Sequence, residues 1–434
     1  MHRQIIKIKM TKKDTIFALS SGQGKAGVAV IRVSGIGPEF LPKRVDPRIA
    51  TLMNFYDIDQ VIAIYFKAPN SFNGEDMVEI HCHGGRAIVA AIFEKLKSFG
   101  FRMAEPGEFL RRAFDNGKFD LVEVDGIRAM IDAKTERQRA AAMKSMTGQD
   151  SKVLENWRSR MIELSAFSSA RMDYDETELP GDIDTRILDG ATKLASEIKS
   201  ALASRTHIIE DGFNIVLTGE TNVGKSSLFN RILGQERAIV SDIHGTTRDV
   251  ITAELDIDGF LVRLSDTAGL RDAADEIEKI GIEKSHAETA RADLILHVFD
   301  RPTDYTPADN EVVVINKSDI PSSIILCHPG NDRAGASSIQ VSAKTGEGIS
   351  QLMNIIRARL AEIADTSDSS LIVTERMRGH LKRAAAELQM AAVAAGELQS
   401  EHIMRAADEV GMILGIIGAN EIYDTVFGQL CLGK

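Results

Sequence analysis

Residues Gly219–Ser226 read GETNVGKS and match the pattern G-x-x-x-x-G-K-S. They follow the strand-like run Phe213–Thr218 and precede the helix-like run SSLFNRIL, which is the context that this motif requires. The backbone N–H groups of such a loop surround phosphate groups at the start of a helix. The stretch therefore predicts a P-loop nucleotide site, with Lys225 at the β- and γ-phosphates and Ser226 as a ligand of Mg²⁺.

Two motifs after the P-loop supply groups for the γ-phosphate. Residues 245–249 read GTTRD and place Thr246 and Thr247 where a switch threonine belongs. Residues 266–269 read DTAG, so Asp266 offers a carboxylate near Mg²⁺ and Gly269 offers an N–H to the γ-phosphate. Both motifs follow the P-loop in the order that GTPases of the P-loop class use.

Two further motifs identify the base. Residues 316–319 read NKSD after the strand-like run Val312–Ile315, and residues 342–344 read SAK behind the expected base. The Asp319 carboxylate can accept hydrogen bonds from both N1–H and N2–H of guanine, which adenine cannot offer. The five motifs resemble the TRAFAC class of GTPases and predict GTP. The predicted GTP-binding residues are Asn222, Val223, Gly224, Lys225, Ser226, Ser227, Ser241, Thr246, Thr247, Asp266, Thr267, Ala268, Gly269, Asn316, Lys317, Asp319, Ser342, Ala343 and Lys344.

The residue after the DTAG motif departs from the Ras-like pattern. A glutamine there orients the attacking water, but this chain has Leu270, which can neither orient nor polarise water. Arg271 and Glu278 are the nearest ionisable candidates, and a solvated helix face is the other explanation for Glu278. The side-chain oxygen of Asn222 could ligate a monovalent cation, which would place positive charge beside the phosphates.

Composition limits the class of protein. The chain has 434 residues, 44% of them hydrophobic, and a net charge of −11. This length predicts two to four domains, and the acidic total argues against indiscriminate nucleic-acid binding. Three cysteines without a Cys-x-x-Cys pair exclude a disulfide scaffold and disfavour zinc. Without a long apolar run or a signal peptide, we expect no membrane association and a cytoplasmic protein, with Met10 as an alternative start.

The chain changes character along its length. Residues 1–118 carry 18 basic and 12 acidic residues, so anionic partners are expected to meet this part first. Residues 119–210 and 371–427 predict long helices, with few turn signals before residue 179, whereas 212–365 alternate strands and helices. The pattern predicts one helical domain with an inserted α/β domain, and residues 365–370 (DTSDSS) as a crossing point. Within 14–118, the predicted strands are Ala26–Val33, Val61–Phe66 and Met77–Cys82, and the predicted helix is Arg86–Ser98.

Three features of the two ends have two explanations each. His81 and His83 would share one face of a strand and Cys82 the other, so the Gly84-Gly85 pair suggests either a tight turn or a close backbone approach. Arg111 and Arg112 could face phosphate or form a charged helix face. The last four residues, 431–434 (CLGK), could be a frayed tail or could dock in a pocket.

Taken together, these segments resemble the family of tRNA modification GTPases called MnmE or TrmE. The resemblance covers nearly the whole chain after Met10 and is carried by residues 14–35, 69–85 (PNSFNGEDMVEIHCHGG), 106–121 and 172–179 (MDYDETEL), the GTPase motifs and the CLGK end. It implies an α/β multidomain protein. Its parts would be an N-terminal tetrahydrofolate-binding and dimerisation domain at 10–118, a discontinuous helical domain at 119–210 and 366–434, and an inserted Ras-like G domain at 211–365.

The same resemblance implies a function and its partners. Members form homodimers and act with an FAD-dependent MnmG-type protein, in a heterotetramer or larger complex, on the wobble uridine of certain tRNAs. They add an aminomethyl-type group (carboxymethylaminomethyl) to C5, with a one-carbon unit from a 5,10-methylene- or 5-formyl-tetrahydrofolate. Hydrolysis of GTP requires Mg²⁺ and is stimulated by K⁺.

Residue roles also follow from the resemblance. Folate would contact Arg32, Glu79, Lys118 and Lys434. Mg²⁺ would take Ser226 and Thr247, and K⁺ would take Asn222, Ser241, Ile243 and Thr246. Glu278 would orient the attacking water, Lys225 would act in catalysis, and Cys431 would be a required thiol of the tail.

Two other functions compete with this one. A ribosome-assembly GTPase could share the G domain, although only 5% of residues are aromatic and Trp157 is the only tryptophan, which leaves little for base stacking. A folate-dependent enzyme that uses GTP only for regulation is the second alternative.

Overall fold

The computed structural model describes residues 14–22, 24–173, 181–204, 206–239, 251–266, 289–320, 338–367 and 371–417. These residues form two compact units, one of 14–128 with 411–417 and one of 129–410. The domain boundaries expected from the sequence, at residues 118, 210 and 365, stay predictions. No helix within the described ranges is both long enough and apolar enough to cross a bilayer.

A six-stranded sheet builds the N-terminal unit. The strands are β1 (Ile16–Leu19), β2 (Ala26–Ser34), β3 (Thr51–Phe55), β4 (Asp59–Phe66), β5 (Met77–Gly84) and β6 (Arg102–Met103), in the order β3-β4-β5-β2-β1-β6. All neighbours are antiparallel except β1 and β6. Three helices follow β5: α1 (Arg86–Ser98), α2 (Glu108–Asp115) and α3 (Leu121–Asp132). The three strands and the helix predicted between residues 26 and 98 are confirmed.

Alternation along the strands gives the sheet one buried face. Ile31 and Ile80 are fully buried in one cluster with Ile92 and Leu96 of α1. Cys82 belongs to this face and is buried, whereas His81 is half-buried and His83 exposed. The predicted separation of the two histidines from the cysteine is therefore confirmed.

The second unit begins with four helices. The sequence did not reveal where the chain breaks between them. They are α4 (Glu136–Met146), α5 (Gln149–Asp173), α6 (Ile183–Ala203) and α7 (His207–Asp211). The helices predicted over 119–210 are confirmed, although the chain breaks between them at 133–135 and 147–148. Thr135 starts α4 with a capping box that includes Gln138, and Gly148 with a positive φ separates α4 from α5.

A seven-stranded sheet forms the α/β part. Its strands are β7 (Phe213–Thr218), β8 (Arg237–Ala238), β9 (Ile251–Ile257), β10 (Phe260–Asp266), β11 (Leu294–Phe299), β12 (Glu311–Ile315) and β13 (Ser338–Gln340). Their order is β13-β12-β11-β7-β10-β9-β8, parallel from β13 to β10 and antiparallel beyond. Helices α8 (Lys225–Leu233) and α9 (Ile349–Ser367) pack into its core. Runs such as VVVI at 312–315 are apolar throughout because central parallel strands are covered on both faces.

Helices on both sides of the α/β part form one helical domain. After it come α10 (Glu375–Ala391) and α11 (Glu397–Leu414). α10 packs on α6, with Leu381 and Leu388 buried on one helix and Leu194 and Ile198 on the other. Helix α9 continues to Ser367, so part of the expected crossing point is helical.

Buried Thr206 joins the two chain segments that lead into and out of the inserted α/β domain. Its hydroxyl donates to the Leu371 carbonyl at 3.4 Å and accepts from the Val373 N–H at 3.4 Å. The α/β domain is therefore inserted between two chain segments that lie side by side.

Arg112 belongs to a buried ionic network, so its interpretation as part of a charged helix face on the surface is wrong. Its guanidinium donates to Glu108 at 2.8 Å, to Asp14 at 3.0 Å and to Glu75 at 3.2 Å. Burial opposes its charge, but the carboxylates outweigh that effect and raise the pKa of Arg112. Burial also opposes the charge of Glu108, yet hydrogen bonds from Arg102 and Arg112 hold the pKa of that carboxyl below its usual value.

We expect Arg112→Ala to lower the free energy of unfolding by about 3–5 kcal/mol, because it leaves buried carboxylates without their partner. Since the pKa of Glu108 is lowered by folding, its contribution is complete above about pH 4.3 and is lost as the pH falls below that value. Denaturant unfolding of the wild type and of Arg112→Ala between pH 3 and 7 measures the loss of stability and its dependence on pH. Arg44→Ala removes an exposed pair with Asp46 and serves as the control; an equal loss in the control would contradict the prediction.

Candidate functional site

The P-loop connects β7 to α8, and two of its glycines are required by close contacts. A Cβ at Gly219 would lie 2.2 Å from the Val298 carbonyl oxygen, and one at Gly224 would lie 2.3 Å from Nδ2 of Asn316. Both glycines have positive φ values, of +139° and +93°, and Asn222 also adopts the left-handed region at +66°. The loop therefore folds tightly between β11 and the NKSD segment.

Lys225 is buried at the start of α8 and points back into the loop. Its Nζ donates to the carbonyl oxygens of Gly219 at 3.0 Å and Glu220 at 2.7 Å. The ammonium group is thus held inside the loop that the sequence predicts to surround phosphate. A positive charge and a helix N-terminus at one place favour an anion.

Ser226 and Asp266 meet at the carboxyl end of the sheet. The Ser226 hydroxyl donates to Oδ2 of Asp266 at 2.7 Å, and Asp266 is buried at the end of β10. Two hard oxygen atoms beside a phosphate-binding loop are suitable ligands for Mg²⁺, which prefers oxygen and keeps several waters. The pair therefore fits the predicted magnesium position.

Asn316 connects three of the predicted motifs. Its Nδ2 donates to the Val223 carbonyl at 2.9 Å, and its Oδ1 accepts from the Ala343 N–H at 3.0 Å. The residue is buried, so both bonds are made away from water. One amide thereby fixes the P-loop, the NKSD segment and the SAK segment in a single arrangement.

Asp319 is prepared to accept hydrogen bonds from a base. The Ser342 hydroxyl donates to its Oδ1 at 2.7 Å, and this bond holds the pKa of the Asp319 carboxyl below its usual value. Ser342 is itself fully buried and also accepts from the Thr345 N–H at 3.1 Å. The carboxylate is therefore ionised and oriented, as recognition of guanine N1–H and N2–H requires.

Sequence reasoning missed a residue that supports this segment. Arg231 in the last turn of α8 donates from Nε to the Ala343 carbonyl at 2.8 Å and from Nη2 to the Lys344 carbonyl. Lys317 pairs with Asp300 at 3.3 Å. In the sequence, Arg231 is only a basic residue near the end of a predicted helix. Such residues are too common to predict a supporting role.

Several predicted residues lie outside the described part of the chain. They are Ser241, Ile243, Thr246, Thr247, Thr267, Ala268, Gly269, Glu278, Cys431 and Lys434. Their roles stay predictions, as does the choice between a frayed and a docked C-terminal tail.

A second group of predicted residues meets in the N-terminal unit. Arg32 on β2 pairs with Glu79 on β5 at 3.0 Å, and both are half-buried. The Arg32 guanidinium also lies over the Phe72 ring, 4.9 Å from its centroid. The centroids of the Phe72 and Phe119 rings are 5.6 Å apart. The neighbouring Lys118 packs near Gly74, where an added Cβ would lie 3.2 Å from its Cε. The sequence predicted the charged residues but missed the aromatic ones.

A mostly parallel sheet that carries a P-loop, a hydrogen-bonded Ser226–Asp266 pair and the NKSD and SAK segments at its strand ends is the architecture of a GTP hydrolase of the P-loop class. The protein-family model described as MnmE helical domain matches residues 121–431. The family model described as GTP-binding protein TrmE N-terminus matches residues 15–118. The chain belongs to the MnmE family.

Relatives of similar length agree with this assignment. Two proteins named tRNA modification GTPase MnmE, from Mesorhizobium japonicum and Parvibaculum lavamentivorans, are each 38% identical to this chain. The alignments cover 98% and 97% of this chain and 100% of each relative. The solved G domain of the T. maritima FeoB iron transporter is 22% identical, with a TM-score of 0.25, over 35% of this chain and 98% of that one.

We expect Asp319→Asn to lower GTP affinity by about a hundredfold or more, because an amide cannot accept hydrogen bonds from both N1–H and N2–H of guanine and would place an N–H group against one of them. Xanthosine triphosphate carries a carbonyl at C2 and should restore turnover in the variant. Hydrolysis of both nucleotides is measured over a concentration series. Asp304→Asn changes an exposed aspartate of the same domain and should leave both rates unchanged. Unaltered base preference in Asp319→Asn would show that this carboxylate does not contact the base.

Proposed function

We propose that this chain hydrolyses GTP in order to add an aminomethyl-type group, carboxymethylaminomethyl, to C5 of the wobble uridine of certain tRNAs. The ionised and oriented Asp319 carboxylate next to the P-loop carries the proposal of GTP as the nucleotide. The name tRNA modification GTPase, borne by relatives that align over nearly the full chain, supports the proposal of tRNA as the substrate.

Each described residue has a role in the proposed hydrolysis. The Lys225 ammonium neutralises charge on the β- and γ-phosphates. Ser226 and Thr247, with the Asp266 carboxylate beside them, would hold Mg²⁺, which would supply positive charge for the phosphoryl group. Water attacks the γ-phosphorus and the bond to the β-phosphate oxygen breaks, which gives GDP and inorganic phosphate. Glu278 orients that water, since Leu270 cannot.

Asn222 is the described residue that would hold K⁺, which would supply further positive charge beside the phosphates. Asn222 lies in the exposed part of the P-loop in a left-handed conformation, and the structure gives its side chain no hydrogen bond within the described residues. Its oxygen is therefore accessible to a cation beside the phosphates. The other proposed ligands are Ser241, Ile243 and Thr246.

Asn222→Lys should abolish the stimulation of GTP hydrolysis by K⁺, because a fixed ammonium group would occupy the cation position. Hydrolysis is measured in K⁺ and in Na⁺ at equal ionic strength. Asn222→Ala is the matched control, since it removes the oxygen without adding a charge and should be slow in both salts. Full K⁺ stimulation in Asn222→Lys would count against a cation at this position.

The N-terminal unit is proposed to bind the tetrahydrofolate derivative. Arg32 and Lys118 are suited to folate carboxylates, and Glu79 is suited to the N–H donors of a pterin ring. The half-buried Phe72 ring, whose centroid lies 4.9 Å from the Arg32 guanidinium, offers flat apolar surface for a ring. Lys434 would complete this site.

The open face of the N-terminal sheet supports the proposed homodimer. Leu52, Ile62, His81 and Val30 lie opposite one another on four adjacent strands, so their side chains form one row on the same face. Leu52 is 60% exposed, Ile62 42% and nearby Val28 59%. Apolar surface of this kind is typical of a contact between proteins. An MnmG-type FAD-dependent partner and a cytoplasmic location belong to the same proposal.

Loss of the gene should remove the C5-aminomethyl-type modification from wobble uridines, as read by mass spectrometry of digested total tRNA. The intact chain should restore it. A chain without residues 431–434, and one with Cys431→Ser, should hydrolyse GTP at the normal rate but fail to restore the modification. The ribosome-assembly alternative predicts an unchanged nucleoside profile with altered ribosomal subunits, and that outcome would refute the proposal.

A further inference from the structure

Helix α4 is held to the tip of the β9–β10 hairpin by Arg137. The tip consists of Asp258 and Gly259, whose φ values of +52° and +82° form a tight two-residue turn. Nε of Arg137 donates to the Asp258 carbonyl at 3.2 Å, and the guanidinium lies 4.4 Å from the centroid of the Phe260 ring. A Cβ at Gly259 would lie 3.2 Å from Cγ of Arg137, so the turn and the side chain fit closely.

Two neighbouring residues add one contact with the hairpin and one with α7. Nζ of Lys134 lies 2.6 Å from Oε2 of Glu254 on β9, and Nε2 of Gln138 donates to the Glu210 carbonyl of α7 at 3.0 Å. Ala141, one turn further along α4, packs against the core of the α/β domain. The first half of α4 is therefore fixed to the G domain although the sequence places it in the helical part.

The other end of α4 is fixed to the helical domain. The Ser145 hydroxyl donates at 2.6 Å to Oδ2 of Asp150, a fully buried residue in the first turn of α5. Burial raises the pKa of the Asp150 carboxyl, and the backbone N–H of Ile372, next to the segment that Thr206 holds, opposes that rise. Helix α4 thus spans the distance from the hairpin tip to the place where the chain enters and leaves the G domain.

The hairpin itself reaches the nucleotide site at its other end. β10 begins at Phe260 beneath Arg137 and ends at Asp266, which accepts the hydrogen bond from Ser226. When the Ser226 oxygen ligates Mg²⁺, its hydroxyl hydrogen can still donate to Asp266, so a change at the metal position acts on the end of β10 through this hydrogen bond. Any displacement of the end of β10 is carried along a hydrogen-bonded hairpin to its tip, because the strands pair along their full length.

We propose that α4 transmits the state of the nucleotide site to the helical domain, with Arg137 as the positioning residue that holds α4 to the hairpin. Arg137 touches no nucleotide and acts only through Asp258 and Phe260. This coupling goes beyond the proposed tRNA chemistry and does not depend on it.

Amide hydrogen exchange of the full-length chain tests this coupling. Exchange at residues 136–146 and 149–153 is compared with saturating GDP and with a non-hydrolysable GTP analogue, both with Mg²⁺ and K⁺. We expect a difference between the two nucleotides in the wild type and its loss in Arg137→Ala. GTP affinity and the midpoint of thermal unfolding of the G domain are measured alongside.

Matched variants separate coupling from general destabilisation. Arg139→Ala removes an exposed pair with Glu136 on the same helix and should keep the nucleotide-dependent difference. Arg137→Lys keeps a cation over Phe260 and a long stem against Gly259, and it should restore the difference that alanine removes. Where Arg137→Ala does not fold, Lys134→Ala combined with Gln138→Ala removes the neighbouring contacts and should produce the same loss. A wild type without a nucleotide-dependent difference, or an Arg137→Ala variant that retains it at unchanged affinity, would overturn the proposal.

Discussion

The buried amide of Asn316 is the contact on which the nucleotide site depends. It uses its donor on the Val223 carbonyl and its acceptor on the Ala343 N–H, so three loops from different strand ends share one side chain. Because the amide is buried, a replacement would leave polar groups of two loops without partners. The close approach of Gly224 to the same amide explains why that position has no side chain. One buried side chain therefore fixes both the P-loop and the segments that are proposed to bind the base.

The local parts of this architecture could be predicted from the sequence, because short-range patterns encode them. Strand β7, the P-loop and the start of α8 follow from an apolar run, a glycine pair and a helix-forming run within 21 residues of chain. The alternation of Met77–Gly84 likewise separated His81 and His83 from Cys82. In each case the residues that determine the structure are neighbours in sequence.

Interactions between distant residues could not be predicted in this way. Arg112 was ambiguous because its partners Asp14 and Glu75 lie 98 and 37 residues away. Arg231 contacts carbonyl groups more than a hundred residues later, and backbone groups leave no mark in the sequence. The break between α4 and α5 lies at Gly148, which has a positive φ, but a single glycine within a helical pattern is too weak a signal to place a break. Charge and composition describe what a residue can do, whereas the fold decides which partner it meets.

The bond of Thr206 to Leu371 and Val373 has a consequence for the origin of this architecture. Two chain ends already in contact can accept an insertion of any length at little entropic cost, since closure of the longer loop adds only about 0.6 kcal/mol for each doubling of its length. The helical domain would lose few of its own contacts if the inserted domain were replaced by a short linker. A GTPase domain whose own termini are adjacent is therefore an insertion that a helical domain can accept between these two segments.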